Sequence, residues 1–143
     1  MVRHILVGVD GSSHSRNATR FAHDLAQQTG AKVTLMFVLE QPRLVPLGPF
    51  DAFAIGRNRR TPEELDRVRG VLDEFAADLP GATVEKDVEL GDPAEVLADQ
   101  AERRHADLLV VGARGLGPGP RWLLGSVSDK LVHHAKCAVT VVR

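Results

Sequence analysis

Residues 107–128 read DLLVVGARGLGPGPRWLLGSVS, a stretch that joins an aliphatic run to a loop and then to a helical pattern. Residues 108–111 are continuous Leu and Val, which is typical of a strand covered on both faces in a parallel sheet. Four glycines and two prolines follow within residues 112–120, before Gly125 and Ser126 open the helical pattern. The loop between strand and helix is either a solvated connection or a cradle for the charged groups of a ligand.

The strand predicted at residues 107–112 is one of five apolar runs. The others lie at residues 4–9, 32–39, 83–90 and 138–142. The run at 83–90 alternates polar with apolar residues, as expected at the edge of a sheet, whereas the rest are nearly continuous Val, Ile and Leu.

Helical patterns separate these strands. The first spans residues 15–29 and ends before Gly30, and two others follow the N-cap signals Thr61 and Asp92. The apolar face of the first helix is predicted to comprise Ala18, Phe21, Ala22, Leu25 and Ala26. Strict alternation of strands and helices predicts an α/β fold, with a parallel sheet covered by helices on both faces.

Composition limits the possible functions. The 143 residues predict a single domain, residues 1–143, and the net charge of −1 gives no basic surplus for nucleic acid or anionic lipid. We expect no membrane span and no secretory signal, and the single cysteine, Cys137, fits a reducing cytoplasm. Residues 40–60 have three prolines and no clear period, which predicts a functional lid or a disordered connection.

Ligands of open parallel sheets bind beyond the carboxyl ends of the strands, where the winding direction reverses. Two stretches, 7–13 and 110–115, end a strand there with ligand-type residues. The second stretch and the helix start after it supply backbone amides and hydroxyl donors suited to a phosphate chain, at Gly112, Gly115, Gly125, Ser126 and Ser128. Asp10 would accept hydrogen bonds from ribose hydroxyls, or it would serve as a turn residue beside Gly11; the sequence leaves both open.

Other nucleotide and catalytic motifs are missing from the sequence. It has neither a Walker A motif nor a G-x-G-x-x-G fingerprint, and the strand at 83–90 does not end in the acceptor Asp of a phospho-receiver domain. The six histidines lack metal-ligand spacing, and Ser12 and Ser13 are better explained as helix caps than as nucleophiles.

These motifs together resemble the ATP-binding branch of the universal stress protein family. That branch carries Gly, two residues, Gly, nine residues, Gly and then Ser or Thr, which Gly112, Gly115, Gly125 and Ser126 match. Asp10-Gly11-Ser12 matches the end of the family's first strand, and residues 138–142 match its last strand. The resemblance covers nearly the whole chain, and the nine-residue spacer departs from the family in its content of Gly and Pro.

The resemblance implies an adenine nucleotide α-hydrolase-like fold, with an open five-stranded parallel sheet in the order 3-2-1-4-5. It implies that Val9 and Asp10 border the adenosine pocket and that Val38 contacts adenine. The residues implied to line the ribose and phosphates are Gly112, Arg114, Gly115, Gly125, Ser126, Val127 and Ser128. It also implies a homodimer formed through residues 138–142.

The expected function is that of a cytoplasmic ATP-binding regulatory protein of the stress response. ATP would act as a signal or structural ligand with at most slow hydrolysis, Mg²⁺ would accompany its phosphates, and a downstream protein partner is left unspecified. One alternative is an enzyme acting at the α-phosphate of ATP, although residues 10–13 are Asp-Gly-Ser-Ser and not the Ser-Gly-Gly loop usual there. The other is a dimeric interaction module that holds no nucleotide.

Overall fold

The computed structural model describes residues 1–40, 61–117, 119 and 123–143. Strands and helices alternate along these residues as the sequence predicts. The elements are β1 (His4–Val9), α1 (Ser13–Thr29), β2 (Lys32–Leu39), α2 (Pro62–Ala77), β3 (Val84–Leu90), α3 (Pro93–Arg103), β4 (Leu108–Gly112), α4 (Ser126–His134) and β5 (Ala138–Val142). The lid or disorder predicted for residues 40–60 falls, apart from Glu40, outside the described residues, as do Arg121 and Trp122.

The five strands form one parallel sheet in the order β3-β2-β1-β4-β5, which confirms the predicted fold. In the central strand, Ile5 is paired with Val33 of β2 on one side and with Leu108 of β4 on the other. The chain winds outward from β1 through β2 to β3, and then crosses to β4 on the far side of β1. The winding direction therefore reverses between β1 and β4, where such sheets bind ligands.

Both faces of the sheet are covered, which explains the continuous apolar runs. Successive residues of β1 point to opposite faces, so Ile5 and Val7 pack with residues of α1 and α2, while Leu6 packs with residues of α3 and α4. No helix of the described part of the chain is long and apolar enough to cross a bilayer.

One predicted core residue is wrong: Phe21 is 40% exposed. The buried stripe of α1 is Ser15, Ala18, Thr19, Ala22 and Ala26. Two hydroxyl residues can lie in this stripe because their side chains bond to the backbone, Ser15 Oγ to the carbonyl of Ser12 and Thr19 Oγ1 to that of Ser15, both at 2.9 Å. The stripe is thus rotated away from Phe21.

Side-chain caps fix the starts of three helices. Ser12 Oγ accepts the N–H of Ser15 at 3.1 Å, which starts α1 two residues earlier than predicted, at Ser13. Thr61 caps α2 and Asp92 caps α3, as the sequence predicts. Gly30 ends α1 in the left-handed conformation with φ of 72°, also as predicted.

Candidate functional site

A cavity of about 760 Å³ opens at the carboxyl ends of β1, β2 and β4. It lies where the winding direction of the sheet reverses, and it extends to the first turn of α4. All ten residues singled out from the sequence line it: Val9, Asp10, Val38, Gly112, Arg114, Gly115, Gly125, Ser126, Val127 and Ser128. The structure thus brings together residues from opposite ends of the chain, and their contacts with a ligand stay a prediction.

One part of the cavity wall is apolar. It contains Val9 and Val38 together with residues that the sequence analysis did not single out, Met36 of β2 and Pro93 and Leu97 of α3. Met36 is fully buried and Leu97 is 3% exposed, so this wall is a continuation of the core. A flat aromatic ring system is the kind of group that such a wall accepts.

Another part of the wall contains the start of α4. The cap residue Gly125 makes no side-chain cap bond, unlike the caps of α1, α2 and α3. The amides of Ser126, Val127 and Ser128 are in the first turn, where helix geometry provides no intrahelical acceptor. These donors and the positive end of the helix dipole lie at the cavity, an arrangement suited to an anion.

The hydroxyl groups of the two serines in this turn differ in exposure and in hydrogen bonding. Ser126 is exposed, whereas Ser128 is 1% exposed and its hydroxyl lies 2.9 Å from the carbonyl oxygen of Ala113 and 3.0 Å from that of Gly125. The predicted hydroxyl donor at Ser128 is therefore used to hold α4 against the end of β4.

Asp10 serves the turn and faces the cavity at once. Its Oδ1 accepts the N–H of Ser12 at 2.9 Å, the turn role that the sequence left open. Its Oδ2 lies beside the main chain of Gly115, where a Cβ added to the glycine would be 2.4 Å away. The turn role and the predicted ribose-binding role of Asp10 are therefore compatible, because only one of its two carboxylate oxygens is used by the turn.

Several cavity glycines are required by close approach of chain segments. A Cβ at Gly112 would lie 2.7 Å from the carbonyl carbon of His14, at the start of α1. A Cβ at Gly8 would lie 2.8 Å from Leu97 Cδ1. The sequence analysis missed Gly8, although a single glycine inside a strand often marks such an approach.

An ion pair joins α3 and α4, the two helices whose first turns line the cavity. Asp92 caps α3 and also accepts a hydrogen bond from Lys130 Nζ of α4 at 3.1 Å. Partial burial raises the pKa of Asp92, but hydrogen bonds from the N–H of Glu95 and from Lys130 outweigh it, so the pKa is lowered overall. The carboxylate therefore stays ionised at neutral pH.

Charged groups are few in the described lining. They are the carboxylates of Asp10 and Glu40 and the guanidinium of Arg114. The resemblance places Arg114 along the ribose and phosphates, which stays a prediction; its guanidinium donates to the main-chain carbonyls of Gly117 and Gly119. Across the described residues, no group of three His, Cys, Asp or Glu side chains is placed to hold a metal ion.

Comparisons with known proteins show which family this chain is similar to. The model of the universal stress protein family matches residues 1–143. A Staphylococcus haemolyticus (strain JCSC1435) protein that is itself named after this family is 32% identical over 142 residues, which cover 99% of this chain and 84% of that protein.

Two solved structures are similar over nearly their whole lengths. The UspA protein of Lactobacillus plantarum is 27% identical with a TM-score of 0.74, and the match covers 99% of this chain and 98% of that one. A universal stress protein in complex with cAMP is 26% identical with a TM-score of 0.76, and the match covers 99% of this chain and 97% of that one.

Proposed function

Since the chain belongs to the universal stress protein family, we propose that it binds an adenine nucleotide, ATP, in the cavity at the ends of β1, β2 and β4. The observation that carries the proposal is the position of Asp10 and the first turn of α4 on the wall of one cavity of about 760 Å³. One cavity thus contains a carboxylate, which can accept hydrogen bonds from sugar hydroxyls, and the amides of a helix N-terminus, which suit phosphates. The cAMP bound to a similar structure supports the same ligand class.

Each part of the cavity has a role in this proposal. Val9 and Val38 contact the base on the apolar wall, and Asp10 accepts hydrogen bonds from the ribose. The main chain at Gly112, Gly115 and Gly125, which lines the same cavity, would run beside the phosphates. The amides of Ser126, Val127 and Ser128 then donate to phosphate oxygens at the helix N-terminus.

Mg²⁺ fits this site only as a companion of the phosphates. The cation keeps most of its ligands as water and phosphate oxygen, so it does not require the carboxylate cluster that the described residues do not form. The exposed hydroxyl of Ser126 is the side-chain oxygen of this turn that would complete its coordination. Bound Mg²⁺ would also neutralise phosphate charge near Asp10 and Glu40.

In the proposed role, the nucleotide is a signal or structural ligand of a cytoplasmic regulatory homodimer that acts on a downstream protein. β5 is the edge strand next to β4, and its unpaired edge is the surface through which two copies would join.

Nucleotides released from purified, denatured protein should include ATP. Intact ATP after prolonged incubation would separate this role from an enzyme that releases AMP and pyrophosphate.

The ribose contact of Asp10 gives the sharpest test of the site. Asp10→Asn keeps an oxygen for the Ser12 N–H but removes the charged acceptor, so we expect about tenfold weaker ATP binding by isothermal titration. The analogue 2′,3′-dideoxy-ATP lacks the ribose hydroxyls, so it should bind equally well to the variant and to the unmodified protein. Asp24→Asn, on the exposed surface of α1, is the matched control.

Equal loss of ATP and dideoxy-ATP affinity in Asp10→Asn would show that the carboxylate does not touch the ribose. Absence of any ATP binding by the unmodified protein, together with no nucleotide on release, would favour the nucleotide-free interaction module instead.

A further inference from the structure

Arg114 is the second residue of the loop between β4 and α4. Its Nη1 donates to the carbonyl oxygen of Gly119 at 2.6 Å, and its Nη2 donates to that of Gly117 at 3.3 Å. A planar guanidinium presents donors in a fixed fork, so it can hold two acceptors at once in one geometry. These two hydrogen bonds tie the guanidinium to the loop's own main chain.

The guanidinium of Arg114 packs closely against the main chain of Gly119. A Cβ at Gly119 would lie 2.9 Å from Nη2 of Arg114, and the φ of Gly119 is +151°, a value that side-chain-bearing residues rarely adopt. By contrast, a Cβ at Gly117 would meet nothing within 4 Å. The glycine at 119 therefore allows the guanidinium to approach, while the glycine at 117 is not required for space.

The main chain of Arg114 connects this loop to two helix starts. Its carbonyl oxygen accepts a hydrogen bond from Ser12 Oγ, the cap of α1, at 3.4 Å. Its Cα would be 3.3 Å from a Cβ placed on Gly125, the cap of α4. Arg114 and its neighbour Gly115 also form part of the wall shared by the large cavity and a smaller one of about 220 Å³ beside the start of α1.

We propose that Arg114 is a positioning residue whose guanidinium holds Gly117 and Gly119 in place, and thereby sets the main chain of Gly115 beside Asp10, instead of pairing with ligand phosphates. The part of this inference that concerns a ligand rests on the proposed function. The part that concerns the loop holds in the protein without nucleotide.

Hydrogen exchange of the nucleotide-free protein tests the loop directly. In Arg114→Ala, amides of residues 112–125 should exchange about tenfold faster, because the carbonyls of Gly117 and Gly119 lose their donors. Gly119→Ala should produce the same local change by displacing the guanidinium. Arg103→Ala removes an exposed arginine that pairs with Asp99 on α3, and it should leave this peptide unchanged. Unchanged exchange in Arg114→Ala at unchanged melting temperature would overturn the proposal.

Titration with adenosine, AMP and ATP tests the ligand part. A positioning role predicts that Arg114→Ala weakens all three by a similar factor of about tenfold, and that Arg114→Lys behaves like Arg114→Ala because one ammonium cannot reproduce the fork. A loss that grows with each phosphate, and that Arg114→Lys restores, would make the guanidinium a phosphate ligand and overturn the proposal. If the unmodified protein binds none of them, the proposed function fails, while hydrogen exchange still decides the role of Arg114.

Discussion

At the scale of single residues, glycine at the cavity serves different purposes from one position to the next. Gly112 makes room for the start of α1, and Gly115 makes room for the Asp10 carboxylate. Gly117 has open space where a Cβ would stand. The glycines of this stretch are therefore not equivalent: at some positions a side chain would clash, and at Gly117 it would not.

This difference yields a matched pair of variants. Gly115→Ala should push Asp10 Oδ2 out of place, because the new Cβ would lie 2.4 Å from it, and ATP affinity should fall about tenfold by isothermal titration. Gly117→Ala adds the same methyl group to the same loop and should bind ATP normally. Equal affinities of the two variants would show that the carboxylate moves aside without consequence for the ligand.

At the scale of elements, α4 and β5 contrast with the rest of the fold. Among the described helices, α1, α2 and α3 begin with a side-chain cap, whereas α4 begins at Gly125 with none and its first turn lies at the cavity. β5 pairs with β4 on one side only and its residues are half-buried or exposed. We propose that a bound ligand stabilises the start of α4 and that a second copy of the chain stabilises β5.

The proposed dimerisation through β5 can be tested by adding a positive charge to this strand. Thr140→Lys places a cation in the middle of β5, and a two-fold axis would bring two such cations together, so we expect dimerisation to weaken by at least about tenfold. Gln28→Lys adds the same charge to the exposed surface of α1. Sedimentation equilibrium should give twice the 15.5 kDa chain mass for the Gln28 variant and a lower mass for the Thr140 variant. Identical masses would place the interface elsewhere.

At the scale of the whole molecule, polar contacts join the strands at the end of the sheet opposite the cavity. His4 of β1 is 4% exposed; its Nε2 lies 2.9 Å from Thr34 Oγ1 of β2, and its Nδ1 lies 3.2 Å from the carbonyl oxygen of Arg104. Asp107 accepts the N–H groups of Arg3 and His4, which joins the first strand to the turn before β4. These contacts lie at the amino end of the sheet, whereas the cavity opens at its carboxyl end.

Burial lowers the pKa of His4 below the value of 6.5 in an unfolded chain, despite the hydrogen bond to Arg104, and the nearby charges of Lys32, Glu85 and Arg104 act in opposing directions. Below pH 6.5 the unfolded chain therefore binds a proton more readily than the folded one, so the free energy of unfolding should fall as pH drops. Above about pH 7.5 this contribution disappears because the imidazole is neutral in both states.

Urea unfolding at pH 7.5 and 5.5 measures this effect. His4→Gln removes the titrating group, so the decrease in unfolding free energy between the two pH values should be smaller than in the unmodified protein. His134→Gln changes an exposed histidine and should leave that decrease as it is. If His4→Gln shows the same decrease as His134→Gln, His4 does not titrate differently in the two states.

The sequence by itself determined what depends on near neighbours along the chain. The apolar runs predicted the strands, Thr61 and Asp92 predicted helix starts, and Gly30 predicted a helix end, because hydrophobic period and capping act within a few residues. Alternation of the elements predicted the parallel sheet, and the glycine motif with Asp10 pointed to the residues that line one cavity.

Only the tertiary structure decided what depends on distance between remote segments. The hydroxyl of Ser128 turns to Ala113, the guanidinium of Arg114 turns to Gly117 and Gly119, and Phe21 points away from the core. The approach of Leu97 to Gly8 likewise joins a helix to a strand almost ninety positions apart in the sequence. Side-chain partners of this kind follow from packing in three dimensions, which local pattern does not encode.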